Sequence, residues 1–307
     1  MTLTDLVEEY LLGWILLSVG VGLAVPRIAV ITRWSTGILA VIIGSISLTL
    51  SIREFRRIDR RSLGVVLGGH AMMPFFGFAV ARLLGLSAPL VVGFVVLGAV
   101  TPELVTPVMT ELADGNTALS TAAVVVIGLL SVGFIPGVVS LLVDDVAVPT
   151  APIVEQLLVA VVLPMGGAIG LRAWRPERVG RYEWAYPAVS ASMVVLIIGG
   201  VTAANASVIR SNYSLLVGVV LGALLLNAVG YGLGFVLARG RSRPDRIAAT
   251  LSVGMRDFAV AAALIIAAGL PTNASLPAVA FGMLEMVTSA GLARWAGRRE
   301  RAISGEE

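Results

Sequence analysis

Residues 88–112 read Ala88-Pro-Leu-Val-Val-Gly-Phe-Val-Val-Leu-Gly-Ala-Val-Thr-Pro-Glu-Leu-Val-Thr-Pro-Val-Met-Thr-Glu-Leu112. The first thirteen residues carry no charge, and the whole stretch is long enough to cross a hydrocarbon core about 30 Å thick. Pro102 and Pro107 each lack a backbone donor and obstruct the turn before them. Between them sits Glu103, a carboxylate that costs a few kcal/mol at this depth unless it is paired, protonated or facing water. The stretch therefore reads as a membrane helix broken in its middle around an acid.

Working outward, the rest of the 307 residues has the same character. The chain is 57% hydrophobic and 13% charged, against roughly 25% charged in soluble domains. Ten apolar segments are expected, at 10–26, 35–52, 63–84, 88–112, 117–143, 153–172, 187–205, 213–238, 247–269 and 276–294. The expected fold is an all-α integral membrane protein of ten transmembrane helices, one transport domain over 1–307. No cysteine is present, which excludes disulfides and thiolate chemistry. The acidic start, with Asp5, Glu8 and Glu9 and no basic residue, is wrong for a cleaved signal peptide, so the first segment is expected to be retained.

All 22 basic residues are arginine. Seventeen fall in four clusters: Arg53, Arg56, Arg57, Arg60 and Arg61; Arg172, Arg175, Arg178 and Arg181; Arg239, Arg241, Arg243 and Arg246; and Arg294, Arg298, Arg299 and Arg301. Ten helices place all four on one side and Arg27, Arg33, Arg82 and Arg210 on the other, with Asp144 and Asp145. The positive-inside rule then gives a multi-pass protein of the cell membrane with both termini cytoplasmic. The clusters are topology signals first and sites for anionic lipid second. The high pI of 9.8 does not point to nucleic acid, because no aromatic-basic interleaving or binding motif accompanies it. The sequons at Asn205, Asn212 and Asn273 fall on the other, outer side.

Near residue 150 the chain divides into two blocks of five segments. An odd number per block makes the second enter from the opposite side, which predicts inverted repeats over about 10–143 and 153–294, with a short cytoplasmic tail at 295–307. The fourth and ninth segments then correspond. The ninth is interrupted by Gly254, Arg256 and Asp257, and matched interruptions point to a midplane binding site. Arg256 offers a planar fork for a carboxylate or an anionic solute; equally, it reads as a fixed ion-pair partner of Glu103. Glu285 and His70 read as interior residues, structural or proton-handling, and Asn227 as interhelical glue. Thr106, Ser120, Ser252 and Ser289 are oxygen-bearing candidates. Glycines at Gly64 and Gly68, and at Gly218 and Gly222, have the spacing of close helix contacts. One histidine and no cysteine exclude a multi-histidine metal site, and no hydrolase motif occurs; the chain is not expected to be an enzyme.

Several stretches resemble the bile acid sodium symporter family in matching order: Ile46-Ser-Leu-Thr-Leu-Ser-Ile-Arg-Glu-Phe55, Met72-Met-Pro74, Pro107 to Ser120, Val253-Gly-Met255 and Leu276-Pro-Ala-Val-Ala-Phe281. The resemblance implies a panel domain (helices 1, 2, 6 and 7), a core domain (helices 3–5 and 8–10), and helices 4 and 9 broken and crossing beside the substrate. It implies transport of an organic anion with sodium; arsenite and auxin carriers are more distant relatives. This chain departs from the family where sodium should bind. A family acidic residue is Ser252 and a glutamine is Arg256; a Ser-Asn pair is Thr106-Pro107; a helix-three glutamine aligns with Gly69 and a helix-five threonine with Val124. Ser120 and Thr106 remain as sodium-type ligands, and a guanidinium offers sodium no oxygen.

The resulting expectation is a secondary transporter of a small organic anion in a lipid bilayer. No resident cofactor is expected. Arg256 stands in for one sodium, and Glu103 or Asp257 carries a coupling proton. The expected substrate- and ion-binding set is Pro102, Glu103, Thr106, Pro107, Ser120, Ser252, Gly254, Arg256 and Asp257. A sensor or receptor of the same fold that no longer transports is the alternative, and a membrane-embedded enzyme comes third.

Overall fold

A hydrocarbon interior offers backbone groups no water, so a spanning chain must satisfy its N–H and C=O groups within itself. Every regular element among the described residues is accordingly helical. The structure, a computed structural model, describes residues 10–50, 58–143 and 150–304, the last eight as backbone only. The expectations for Asp5, Glu8, Glu9, Arg53, Arg56, Arg57, Asp144 and Asp145, and for the side chains of Arg298, Arg299 and Arg301, lie outside the described residues.

In chain order the helices are α1 (Leu11–Ala24), α2 (Ser35–Ser47), α3 (Arg60–Leu83), α4 (Ala88–Ala99), α5 (Thr106–Leu112), α6 (Thr117–Leu142), α7 (Thr150–Trp174) and the short α8 (Pro176–Gly180). Then follow α9 (Tyr186–Ala204), α10 (Ala206–Ser211), α11 (Tyr213–Leu237), α12 (Arg243–Gly254), α13 (Phe258–Ala267) and α14 (Leu276–Ser304). Eight helical stretches among the described residues are long and apolar enough to cross a membrane, and Leu11–Ala24 and Ala88–Ala99 are shorter apolar helices.

Several boundaries differ from the sequence reading. The stretch expected to connect the first two segments is a 3-10 helix, Pro26–Trp34, running directly into α2. Proline at its first turn fixes φ without a missing bond. α2 stops at Ser47 rather than 52. α7 contains a π turn at Leu158–Val162, just before Pro164, whose ring cannot donate to the ladder. The expected tail at 295–307 is helical as far as Ser304.

Two neighbourhoods are evident in the packing. α1 and the 3-10 helix adjoin α9, and α2 adjoins α9 and α7, while α3, α4, α6, α11, α12 and α14 form the other group; α13 touches both through α2 and α14, and α7 also lies against α6. The Arg243–Ala267 window is 89% buried, against 33% for Tyr213–Leu237, so the α12–α13 span is central and α11 is peripheral. Leu83, Leu141, Leu163 and Val217 face outward, as a lipid-facing belt requires, and exposed Trp174, Trp295 and Tyr213 stand at or near span ends, where aromatic rings favour the interface.

Caps tie the arginine-bearing end together. Asp59 caps α3 by accepting from the Arg61 N–H, Asn116 caps α6 by accepting from Leu119, and Ser242 caps α12 by accepting from Asp245. The Asp245 carboxylate in turn accepts from Ser62 Oγ at 2.6 Å and Asn116 Nδ2 at 2.7 Å. One acid thus joins the N-terminal ends of three helices. Arg241 pairs with Asp59, and Arg172 donates to the Leu48 carbonyl. At the opposite end, Arg210 donates to the Leu23 carbonyl. Asn205 there is buried and bonds Val201 and Ser275, so it does not present an exposed sequon.

Gly64 and Gly68 have open space where a Cβ would stand, which corrects their reading as helix contacts. Gly218 and Gly222 do make close contacts, with Leu86 and Phe94, and Gly230 and Gly234 bring backbones together, a Cβ there lying 2.8 Å from Gly254 Cα and 2.5 Å from the Ala249 carbonyl oxygen. Gly230 and Gly234 let α11 lie directly on α12.

Candidate functional site

The two interruptions predicted from sequence meet. α4 ends at Ala99; Val100 is extended, and helix resumes only at Thr106, with Pro107 in the first turn of α5. Pro102 holds Thr101 out of helical conformation. α12 ends at Gly254; Met255 is extended, and α13 begins after Asp257. The Asp257 N–H donates to the Thr101 carbonyl at 3.0 Å, joining the two breaks. α13 is capped by Asp257 itself, whose Oδ1 accepts from the Val260 N–H at 2.9 Å.

A helix that stops leaves carbonyls without intrahelical partners and concentrates partial negative charge there. Arg256 lies at two such ends. Its Nη1 donates to the Val100 carbonyl at 3.3 Å and Nη2 to the Val253 carbonyl at 2.8 Å. Nη1 also bonds His70 Nδ1. The Arg256 backbone N–H donates to Glu285 Oε1 at 3.1 Å. Glu285, on α14, is therefore part of the crossing. No ion pair joins Arg256 to Glu103 among the described residues, which corrects that expectation: the guanidinium is engaged by helix-end carbonyls, a set of acceptors created only by the breaks.

Three acids, Glu103, Asp257 and Glu285, and one guanidinium are thus buried together. A buried excess of carboxylate is tolerated when protons or a cation neutralise it. Nine buried side-chain polar atoms lack a hydrogen-bond partner among the described residues, and seven belong here: His70 Nε2, Thr101 Oγ1, Glu103 Oε2, Ser252 Oγ, Arg256 Nε, Asp257 Oδ2 and Glu285 Oε2. Buried polar atoms are normally satisfied by protein, water or an ion, so seven together set this crossing apart from the rest of the interior. Glu103 keeps 7% of its surface accessible, Asp257 none and Glu285 1%.

The remaining candidates divide. Thr106 Oγ1 donates to the Glu103 carbonyl, and Ser120 Oγ to the Thr117 carbonyl at 3.0 Å. Gly69 faces Val253, leaving no room for a longer side chain there, and Val124 is buried. Asn227 donates weakly to the Gly254 carbonyl at 3.4 Å and accepts from Thr288 Oγ1 at 2.8 Å, linking α11, α12 and α14. Gly254 packs under the Tyr231 ring, where a Cβ would come within 2.0 Å. Thr101 and the two helix-end carbonyls escaped the sequence reading; Thr101's position before Pro102 was the available signal.

A model described as the Sodium Bile acid symporter family matches residues 36–212. The chain is similar to "Uncharacterized sodium-dependent transporter YocS" of Bacillus subtilis, 28% identical over 290 residues covering 92% of this chain and 89% of that protein. It is also similar to "Probable sodium/metabolite cotransporter BASS2, chloroplastic" of Oryza sativa subsp. japonica, 25% identical over 257 residues covering 80% of this chain and 60% of that protein.

Proposed function

The chain belongs to the sodium bile acid symporter family, and on that premise we propose that it carries a small organic anion across the membrane by alternating access. The ten spans are α1, the 3-10 helix with α2, α3, α4–α5, α6, α7, α9, α11, α12–α13 and α14, in two inverted repeats whose fourth members are broken. The panel comprises α1, α2, α7 and α9, and the core the remaining spans. The two packing neighbourhoods support this division. The core moves against the panel, and the arginine-bearing end faces the cytoplasm.

The observation that carries the mechanism is the seat of Arg256. Unwound carbonyls and half-helix C-terminal ends form cation sites in carriers of this plan. Here a guanidinium fixed to the chain bonds two of them. A sodium cage fits poorly. Gly69 and Val124 offer no ligand side chains, and the Val100 and Val253 carbonyls are already taken by the guanidinium. We therefore assign Arg256 the role of tethered cation, with Nε–H its remaining donor toward the anion. Glu103 is the proton-carrying group, since Asp257 is engaged as the α13 cap. Thr101, Pro102, Ser252 and Gly254 shape the crossing.

Counterflow in proteoliposomes tests transport itself. Vesicles preloaded with a candidate organic acid should accumulate its labelled form transiently. Saturable binding without counterflow would replace the carrier reading with a receptor, and chemical conversion of the acid would replace it with an enzyme.

A further inference from the structure

A second feature lies away from the crossing, at the arginine-bearing end. Between the C-terminal end of α11, the start of α12 and residues 292–296 of α14 is a cavity of about 250 Å³. That is below the 300–1,000 Å³ of pockets that enclose a whole small-molecule ligand, so it suits one end of a longer molecule. Its walls are mainly apolar, with Phe235, Leu251 and Leu292 among them, and Arg243 and Arg246 stand at it. The guanidinium of Arg246 lies over the Phe235 ring, 5.3 Å from its centroid, with Arg239 on the same ring at 6.0 Å. Arg243 Nη2 donates to the Ala296 carbonyl at 3.0 Å, which ties the start of α12 to α14 at this wall. Trp295, half exposed, lines the same opening, the residue type favoured where hydrocarbon gives way to headgroups.

We propose that this cavity binds an anionic phospholipid, with an acyl chain against Phe235, Leu251 and Leu292 and the phosphate at Arg246. Arginine is suited to the phosphate because its planar fork meets two oxygens at once. An apolar cavity beneath fixed positive charge at the depth of the interface matches the chemistry of an amphiphile rather than of a soluble anion. Because Arg246 and Arg256 are ten residues apart on one span, roughly 15 Å of helix rise separates this site from the crossing, and the inference does not depend on the carrier reading.

The test is thermal stability of the purified protein in detergent, with phosphatidylglycerol, phosphatidylcholine or soluble glycerol phosphate added. A ligand that binds only the folded protein raises its melting temperature by mass action. Phosphatidylglycerol should raise it by about 3 °C or more over phosphatidylcholine, and glycerol phosphate should do nothing. Arg246→Gln should abolish the difference. Ala296→Leu, which narrows the cavity while leaving Arg246, should abolish it too and covers the case in which Arg246→Gln misfolds. An equal rise with phosphatidylcholine, a full response retained in Ala296→Leu, or a rise reproduced by glycerol phosphate alone would overturn the proposal, the last by making this a free-anion site.

Discussion

Replacing Arg256 by glutamine is the sharpest perturbation of the crossing. The guanidinium donates to the Val100 and Val253 carbonyls and bonds His70, and it is fully buried. Glutamine is shorter and has two N–H donors, so at least one of these three acceptors loses its partner, at about 1–3 kcal/mol. The substitution also removes the one arginine among three buried carboxylates, and losing a buried partner charge costs about 3–5 kcal/mol when the remaining charge cannot neutralise. Protonation of an acid offsets part of that, so a net loss of about 3 kcal/mol is expected. Binding carries the functional signature. A hydrogen bond from a charged donor contributes about 1.5–3 kcal/mol, so an organic acid should bind Arg256→Gln roughly 10- to 100-fold more weakly, while its uncharged amide loses less than about threefold. Titration calorimetry on the acid and amide pair reads both. Equal weakening of the two would mean that Arg256 only braces the helix ends, and the tethered-cation argument would fail.

Glu103→Gln should retain counterflow but lose the pH dependence of uptake; a pH profile unchanged from the parent would remove Glu103 from coupling. Thr106→Val and Ser120→Ala, whose hydroxyls donate to helix carbonyls, should leave transport within about twofold and lower stability by about 1 kcal/mol or less, so an uptake loss restored by raised sodium would restore the sodium reading. Gly254→Ala drives a methyl into the Tyr231 ring and should cost about 1–3 kcal/mol by thermal denaturation, with partial recovery in Gly254→Ala/Tyr231→Leu. The Arg61 N–H bonded to Asp59 holds that carboxyl below its ordinary value of 3.8. Its stabilising contribution is therefore present above the ordinary value and lost as pH falls through the lowered one, so the melting-temperature gap between parent and Asp59→Ala should close with acidification.

Both breaks were legible because each rests on local chemistry. Pro102 and Pro107 cannot sustain a helix ladder, and Gly254 followed by Arg256 and Asp257 marks a run that hydrocarbon would not otherwise accept. The partners were not legible, because they are set between distant helices. Arg256 and Glu103 are the obvious pair on charge alone, yet the guanidinium meets carbonyls that exist as acceptors only once both helices have stopped. Glu285 read as an interior residue, and its bond to the Arg256 N–H follows from α14 lying beside the unwound turn. The cap on α13 was concealed by the same feature that drew notice to Asp257, its charge. The joint at Asp245 left a trace in the spacing Ser242-x-x-Asp245, a capping-box-like pattern. Its bonds to Ser62 and Asn116 span 183 and 129 residues, and no local pattern encodes them. The 3-10 stretch Pro26–Trp34 was hidden by Arg27, Thr32 and Arg33, which lower its hydropathy to that of a connection.

The fixed guanidinium is best examined by asking which ion drives uptake. Proteoliposomes holding the protein should be given, in turn, an inward proton gradient and an inward sodium gradient at matched membrane potential. With Arg256 occupying the helix-end carbonyls and Glu103 exchanging the proton, labelled organic acid should accumulate with the proton gradient and be indifferent to sodium. Accumulation that follows sodium and ignores protons would contradict the account.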